Sequence, residues 1–159
     1  MEERYYPKSD FLNCVIGEEV TFEGEFGRQN LQCLLSYVDD PEDSNRDWAA
    51  LLISQLFEDG ELDQAALKEA LLKLATDGHF DTRSEAILGL ASGGAPEALE
   101  LVSSLLTEDS VGVSAVEAAA YVAHKSLLPA LYELRDWWDV DAYWREKAIK
   151  ACETGVAHD

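Results

Sequence analysis

Basic residues are scarce in this chain: 12 Lys and Arg stand against 32 Asp and Glu in 159 residues, a formal net charge of −20. A phosphate backbone is held by Lys and Arg that displace condensed counterions, so the shortage argues against nucleic acid as a direct partner. Anionic membrane surfaces are disfavoured for the same reason. Cysteine is sparse too: Cys14, Cys33 and Cys152 are odd in number and widely separated, which suits neither a disulfide framework nor a thiolate metal site. No uncharged apolar run reaches membrane-spanning length. The opening Met1-Glu2-Glu3-Arg4-Tyr5-Tyr6-Pro7 has no basic leader and no apolar stretch of a secretory signal, so a cytoplasmic protein is expected. What is not lacking is core material. Hydrophobic residues make up 47% of the chain, so the charge does not imply disorder.

From residue 29 onward, stretches rich in Val, Ile and Thr are nearly absent, and apolar residues recur at helical spacing. Ala66-Leu67, Ala98-Leu99 and Ala130-Leu131 recur at intervals of 32 residues, each early in a helical segment. Between them runs a second kind of helix, marked by Arg46-Asp47-Trp48-Ala49, Arg83-Ser84-Glu85-Ala86 and Arg145-Glu146-Lys147-Ala148. Ala115-Val116-Glu117-Ala118 fits the same frame without the Arg. Asn45, Thr82 and Ser110 lie near the starts of these second helices, where they can accept orphan N–H groups. Asp59-Gly60, Asp77-Gly78-His79 and Ser92-Gly93-Gly94 supply the breaks.

The pattern predicts helix pairs at 29–40 with 45–57, 63–76 with 81–92, 95–107 with 112–124, and 127–138 with 142–153. A two-helix unit at this period is expected to form an all-α solenoid of about four hairpins, each burying its apolar stripe against its neighbours. Residues 29–159 form the repeat domain. Residues 1–28 stand outside the repeat as an N-terminal cap, with a short helix through Phe11, Leu12, Val15 and Ile16 and an irregular stretch from Val20 to Phe26.

The Asp/Asn-x-Arg-x-x-Ala second helix, paired with an Ala-Leu-rich first helix, resembles HEAT-repeat proteins over roughly residues 29–154. The departure is Ala115, which stands where the pattern has Arg. HEAT-like scaffolds host many unrelated roles, so the resemblance speaks for fold far more than for function. HEAT-like metal hydroxylases carry repeated His-Glu pairs, and this chain has no His-Glu dipeptide. HEAT-like DNA glycosylases need a basic concave face, which the charge denies.

No catalytic constellation emerges from the residues themselves. His79, His124 and His158 have no partner at metal-ligand helical spacing. Cys152 aligns with Ile53, Leu90 and Val122 in the repeat frame and reads as a small buried hydrophobe, as does Cys33. Ser92-Gly93-Gly94-Ala95 has no basic neighbour and is a structural turn. Asp136-Trp137-Trp138-Asp139-Val140-Asp141 lacks the Gly and terminal Glu of a calcium loop. No enzyme activity, metal or cofactor is expected.

The repeat frame buries Ala49, Ala50, Ile53, Ala86, Ile87, Leu90, Ala118, Ala119, Val122, Ala148, Ile149 and Cys152. It turns Asp47, Ser84, Val116 and Glu146 outward, with Trp48, Glu85, Glu117 and Lys147 beside them. One turn on come Leu51, Leu88, Ala120 and Lys150, with Tyr121 alongside. In HEAT-like solenoids these second helices line the concave face, so the resemblance implies a row of Trp48, Glu85 and Glu117 there. Trp48 is either an interface anchor among carboxylates or a packing residue against the N-terminal segment. Trp137, Trp138, Tyr143 and Trp144, with Asp139 and Asp141, form a second candidate surface that also has to cap the last repeat. The acidic loop Asp39-Asp40-Pro41-Glu42-Asp43 and the run from Glu58 to Asp63 bracket the Trp48 helix and are expected to focus a negative field beside it.

A field of this sign selects a basic protein partner. Small, acidic HEAT-like domains are similar to several immunity families of bacterial toxin systems. The expected role is therefore a monomeric inhibitor that covers the cationic cleft of a basic toxin, in particular a nuclease. The alternative is a HEAT-repeat adaptor or chaperone-like scaffold for a non-toxic partner, with a lyase-type enzyme third.

Overall fold

In the computed structural model, residues 5–108, 112–134 and 142–158 are described. Among them are nine α-helices and no strand, so the chain is all-α. No helix among the described residues is long and apolar enough to cross a membrane. The chain divides into two compact units, Met1–Ala86 and Ile87–Asp159.

The first unit opens with α1 (Asp10–Ile16), whose N-terminus is capped by the Ser9 hydroxyl accepting from the Leu12 amide. The helix closes in a left-handed turn at Glu18, φ 59°. There the Glu18 amide donates to Val15 O and the Glu19 amide to Cys14 O, a pairing that satisfies the last carbonyls. Residues 20–26 form no helix, as expected. They are pinned at Gly27, the first residue of α2 (Gly27–Ser36), where a Cβ would stand 2.3 Å from Phe22 O. A short 3-10 turn, Tyr37–Asp39, leads to α3 (Asp43–Asp59), which ends at Gly60 with φ 76°. The Asp63 carboxylate caps α4 (Gln64–Leu74), and α5 (Phe80–Ser92) begins after the loop 75–79. Helix α3 packs against α1, α2 and α4. Leu12, Leu34, Ile53, Leu67, Leu71 and Leu74 are fully buried in this unit, each contributing roughly 1.5–3 kcal/mol by removal from water.

The second unit contains α6 (Ala98–Leu106), α7 (Val113–Val122), α8 (Leu128–Glu133) and α9 (Ala142–Thr154). Helix α7 packs on both α6 and α9. Its Ala115, Val116, Ala118, Ala119 and Ala120 are all buried, because small side chains let a helix be approached from two sides. The expected outward placement of Val116 and Ala120 is therefore corrected. Val122 is half-buried instead of core. Ser84 on α5 is buried as well. The other positions that the repeat frame assigned to the core are buried as expected.

The Arg of the second-helix motif acts on the loop before its own helix. In the first unit Asp40 Oδ1 accepts the Glu42 amide at 2.9 Å, while Arg46 Nη1 donates to Asp40 O at 2.9 Å. Thirty-seven residues on, Asp77 Oδ1 accepts the His79 amide at 2.8 Å and Arg83 Nη1 donates to Asp77 O at 3.0 Å. Arg46 also reaches Asp77 itself, Nε to Oδ2 at 2.8 Å, so one guanidinium ties both turns together. Burial opposes ionisation of Asp77, but that guanidinium and the His79 amide outweigh it and hold the carboxyl below its ordinary value.

Asn45 and Thr82 are not the helix caps expected of them. Both lie inside their helices, and both side chains reach another segment. Asn45 accepts from the Ser9 amide at 2.9 Å, and Thr82 donates to Asp47. Ser110 lies outside the described residues.

Candidate functional site

A cleft of about 210 Å³ opens in the first unit between the segment before α1 and the N-terminal turns of α3 and α5; Tyr5, Asp47, Trp48, Leu51, Asp81 and Glu85 line it. Helical spacing builds it. Asp47 and Leu51 lie one turn apart on α3, with Trp48 beside them, and Asp81 and Glu85 lie one turn apart on α5, so α3 lends three side chains and α5 two to the same space.

The walls are held from behind. The Trp48 indole Nε1 donates to Tyr5 O at 3.2 Å, and its ring lies stacked with Tyr6 at 6.4 Å between centroids. Asp47, with a side chain only 12% exposed, receives three groups. Tyr5 Oη donates to its Oδ2 at 2.6 Å. The Thr82 hydroxyl donates to its Oδ1. His79 Nδ1 lies 3.1 Å from the same oxygen. Partial burial of the hydroxyl, and next the Asp47 carboxylate, hold the Tyr5 phenol well above its ordinary value. Trp48 thus packs against the N-terminal segment, one of the two readings open from the sequence, and also forms a wall of the cleft.

Glu85, another residue of the expected row, lines the same cleft as Trp48. Tyr5, Asp81, His79 and Thr82 are the residues sequence reasoning missed. Tyr5 and His79 lie 42 and 32 residues from Asp47, so no local spacing displays the grouping. The Asn45/Thr82 equivalence was the available hint. Asp47, His79 and Asp81 each place a ligand atom within 4.8 Å of the others, an imidazole and two carboxylates that can hold a divalent cation. Both oxygens of Asp47 are already engaged, however, so the cluster is satisfied as a hydrogen-bond network.

The loop carboxylates are partnered at close range. Asp39 meets Lys73 Nζ at 2.6 Å, Glu42 meets Lys8 Nζ at 3.1 Å and Asp43 meets Arg46 Nη2 at 2.7 Å. Asp40 accepts from the Glu42 amide and from Asn45 Nδ2. These residues build the turn before α3 and stand apart from the cleft lining.

The second unit carries an aromatic cluster. Tyr121 of α7, Trp144 of α9 and His158 of the C-terminal segment have ring centroids 5.2–6.3 Å apart. The His158 amide donates to Ala120 O at 3.0 Å. Tyr143 lies edge-on to Trp144 and is 55% exposed, with Lys147 Nζ over its ring. Glu117 is half-buried on α7. Trp137, Trp138, Asp139 and Asp141 lie outside the described residues. Cys152 is buried, and that burial pushes its thiol up to about 11, which suits packing and not nucleophilic chemistry.

No protein-family model matches the chain. Over 104 residues, 65% of its length, it is 26% identical to the protein YibA of Escherichia coli K12, the match taking in 36% of YibA. The YibA protein of Escherichia coli O157:H7 matches at the same identity and coverage. A crystal structure of E. coli YibA superposes with a TM-score of 0.64 at 23% sequence identity, covering 89% of this chain and 54% of that one. The chain thus spans between about a third and about half of the relatives it matches. That likeness is one of fold.

Proposed function

We propose that this chain is an acidic, non-enzymatic protein-binding module of HEAT-like helical hairpins that acts in the cytoplasm as an immunity-type inhibitor. Its partner is a basic toxin, in particular a nuclease, whose cationic cleft it covers. The observation that carries the reading is the cleft of the first unit, where Trp48 is fixed beside Asp47, Asp81 and Glu85. Rigid aromatic anchors among carboxylates are the composition of a binding hot spot for a basic surface. The net charge of −20 adds long-range attraction of the matching sign. A nuclease presents such a surface because its own substrate demands one.

Immobilised protein exposed to lysate of its source cells at low salt, then eluted with a salt gradient, tests this directly. Recovery of one basic protein, stoichiometric and toxic when expressed alone, is expected. Recovery of a neutral or acidic partner overturns the inhibitor role in favour of an adaptor, and no specific partner overturns both.

A further inference from the structure

We propose that Asp47, His79 and Asp81 form a site, beside the cleft of the first unit, for one divalent metal ion that accepts a nitrogen ligand, with Zn²⁺ the best match. Each residue brings a ligand atom within 4.8 Å of the other two. The hydrogen-bond network around Asp47 does not use the cluster up, because Asp81 takes no part in it. The Asp81 carboxylate makes no hydrogen bond or ion pair with any described residue. Oδ1 of Asp47 has two lone pairs. Thr82 donates to one, and the other serves whatever lies between Oδ1 and His79 Nδ1, 3.1 Å away. With the imidazole proton on Nε2, both of those atoms carry lone pairs, and only a cation can join them.

The spacing suits an ion. Two ligands at right angles, each about 2.1 Å from a metal, stand roughly 3 Å apart, close to the observed 3.1 Å. The ligands are also held from outside. Tyr5 Oη donates to the other oxygen of Asp47 at 2.6 Å, the kind of outer hydrogen bond that orients a metal ligand. The His79 amide donates to Asp77 Oδ1 at 2.8 Å, and Asp77 is itself held by Arg46. Asp81 follows in the first turn of α5. The imidazole favours Zn²⁺ over Mg²⁺ and Ca²⁺, which prefer oxygen ligands, and two carboxylates cancel the charge of the ion. Three protein ligands leave a tetrahedral ion one position for water or for a group entering the cleft, which Asp47 and Asp81 line.

Calorimetric titration of the metal-stripped full chain with Zn²⁺, at about 150 mM salt to screen loosely held counterions, tests the site, with Mg²⁺ and Ca²⁺ as comparisons. One Zn²⁺ per chain is expected, with Mg²⁺ and Ca²⁺ bound at least about tenfold more weakly. The NMR signals of the His79 ring, identified by their loss in His79→Gln, shift with Zn²⁺ while those of His124 and His158 stay in place. His79→Gln and Asp81→Asn, each shown folded by circular dichroism, weaken Zn²⁺ binding by more than about tenfold. Glu61→Gln, outside the cluster, leaves it unchanged. Equal affinity for Mg²⁺, several weak equivalent sites, unmoved His79 signals, or undiminished binding in both cluster variants overturns the proposal. The wild-type ring signals keep the test decisive if the variants fail to fold. No partner enters the titration, so its failure leaves the inhibitor reading standing, and failed capture leaves the metal site standing.

Discussion

Asp47 is the residue on which the first unit's cleft depends, because the Tyr5 and Thr82 hydroxyls donate to its carboxylate and His79 Nδ1 lies 3.1 Å from it. Thr82 has no exposure to water, so its hydroxyl cannot exchange the lost acceptor for solvent. Asp47→Ala should cost about 2–3 kcal/mol, the penalty for stranding a buried donor and losing a charge-assisted bond. Urea unfolding measures it, and a loss below about 0.5 kcal/mol, the range of a plain surface change, contradicts the role. Tyr5 gives a pH signature. Its folded value lies above the ordinary value of 10.0, so the unfolded chain releases that proton first. The stability contributed by the Tyr5–Asp47 bond is complete below pH 10 and is lost as pH rises beyond it. Wild type should therefore lose stability above pH 10 more steeply than Tyr5→Phe; parallel curves would show that the bond contributes nothing. Little of this hub was legible beforehand. Trp48 and Glu85 stood out because they occupy matching positions of a repeat, but the sequence reading saw His79 as a lone loop histidine, since hydrogen bonding across 32 residues leaves no local pattern.

At the scale of elements, termination is where chemistry and sequence disagree most usefully. Glu18 takes the left-handed position that closes α1, φ 59°, a place where glycine avoids a Cβ clash. Its neighbour Gly17 has φ −78°, so the glycine sits one residue early. Glu18→Gly should stabilise the protein by about 0.5–1 kcal/mol; a neutral or destabilising result in thermal unfolding would mean the turn is not strained. Most of the helices were readable to within a few residues, because the Ala-Leu and Arg-x-x-Ala spacings follow the helical period. The exception is the helix expected at 127–138, where α8 ends at Glu133 and residues 135–138 lie outside the described residues. The helix caps were not readable. Asn45 and Thr82 have the right residue types for capping, yet each finds a partner in another segment, and tertiary partners outcompete local ones once the helix interior is covered. The double coverage of α7, which buried Val116 and Ala120, was hidden for a related reason. Alanine and valine signal compatibility with close packing without saying on how many sides it occurs.

For the whole molecule, charge is the property most plainly written in the sequence and least uniform in the structure. The −20 excess is a long-range quantity and survives folding. The loop 39–43 that was expected to concentrate it is instead tied by Lys73, Lys8 and Arg46, pairs that neutralise locally while contributing little to stability where exposed. The acidic residues proposed to act in recognition lie in the cleft, where carboxylates meet fixed aromatic walls. Such a division assigns different kinetic roles. Long-range charge governs encounter and is screened beyond a Debye length, whereas the anchored aromatic governs how long a complex lasts. The decisive measurement is therefore binding kinetics with the captured basic partner over about 50 to 500 mM salt, for wild type and Trp48→Ala. Association should slow by at least about tenfold across that range, with Trp48→Ala speeding dissociation and leaving association nearly unchanged. Salt-independent association together with an unaltered dissociation rate in Trp48→Ala would contradict the claim that this acidic cleft is the binding surface.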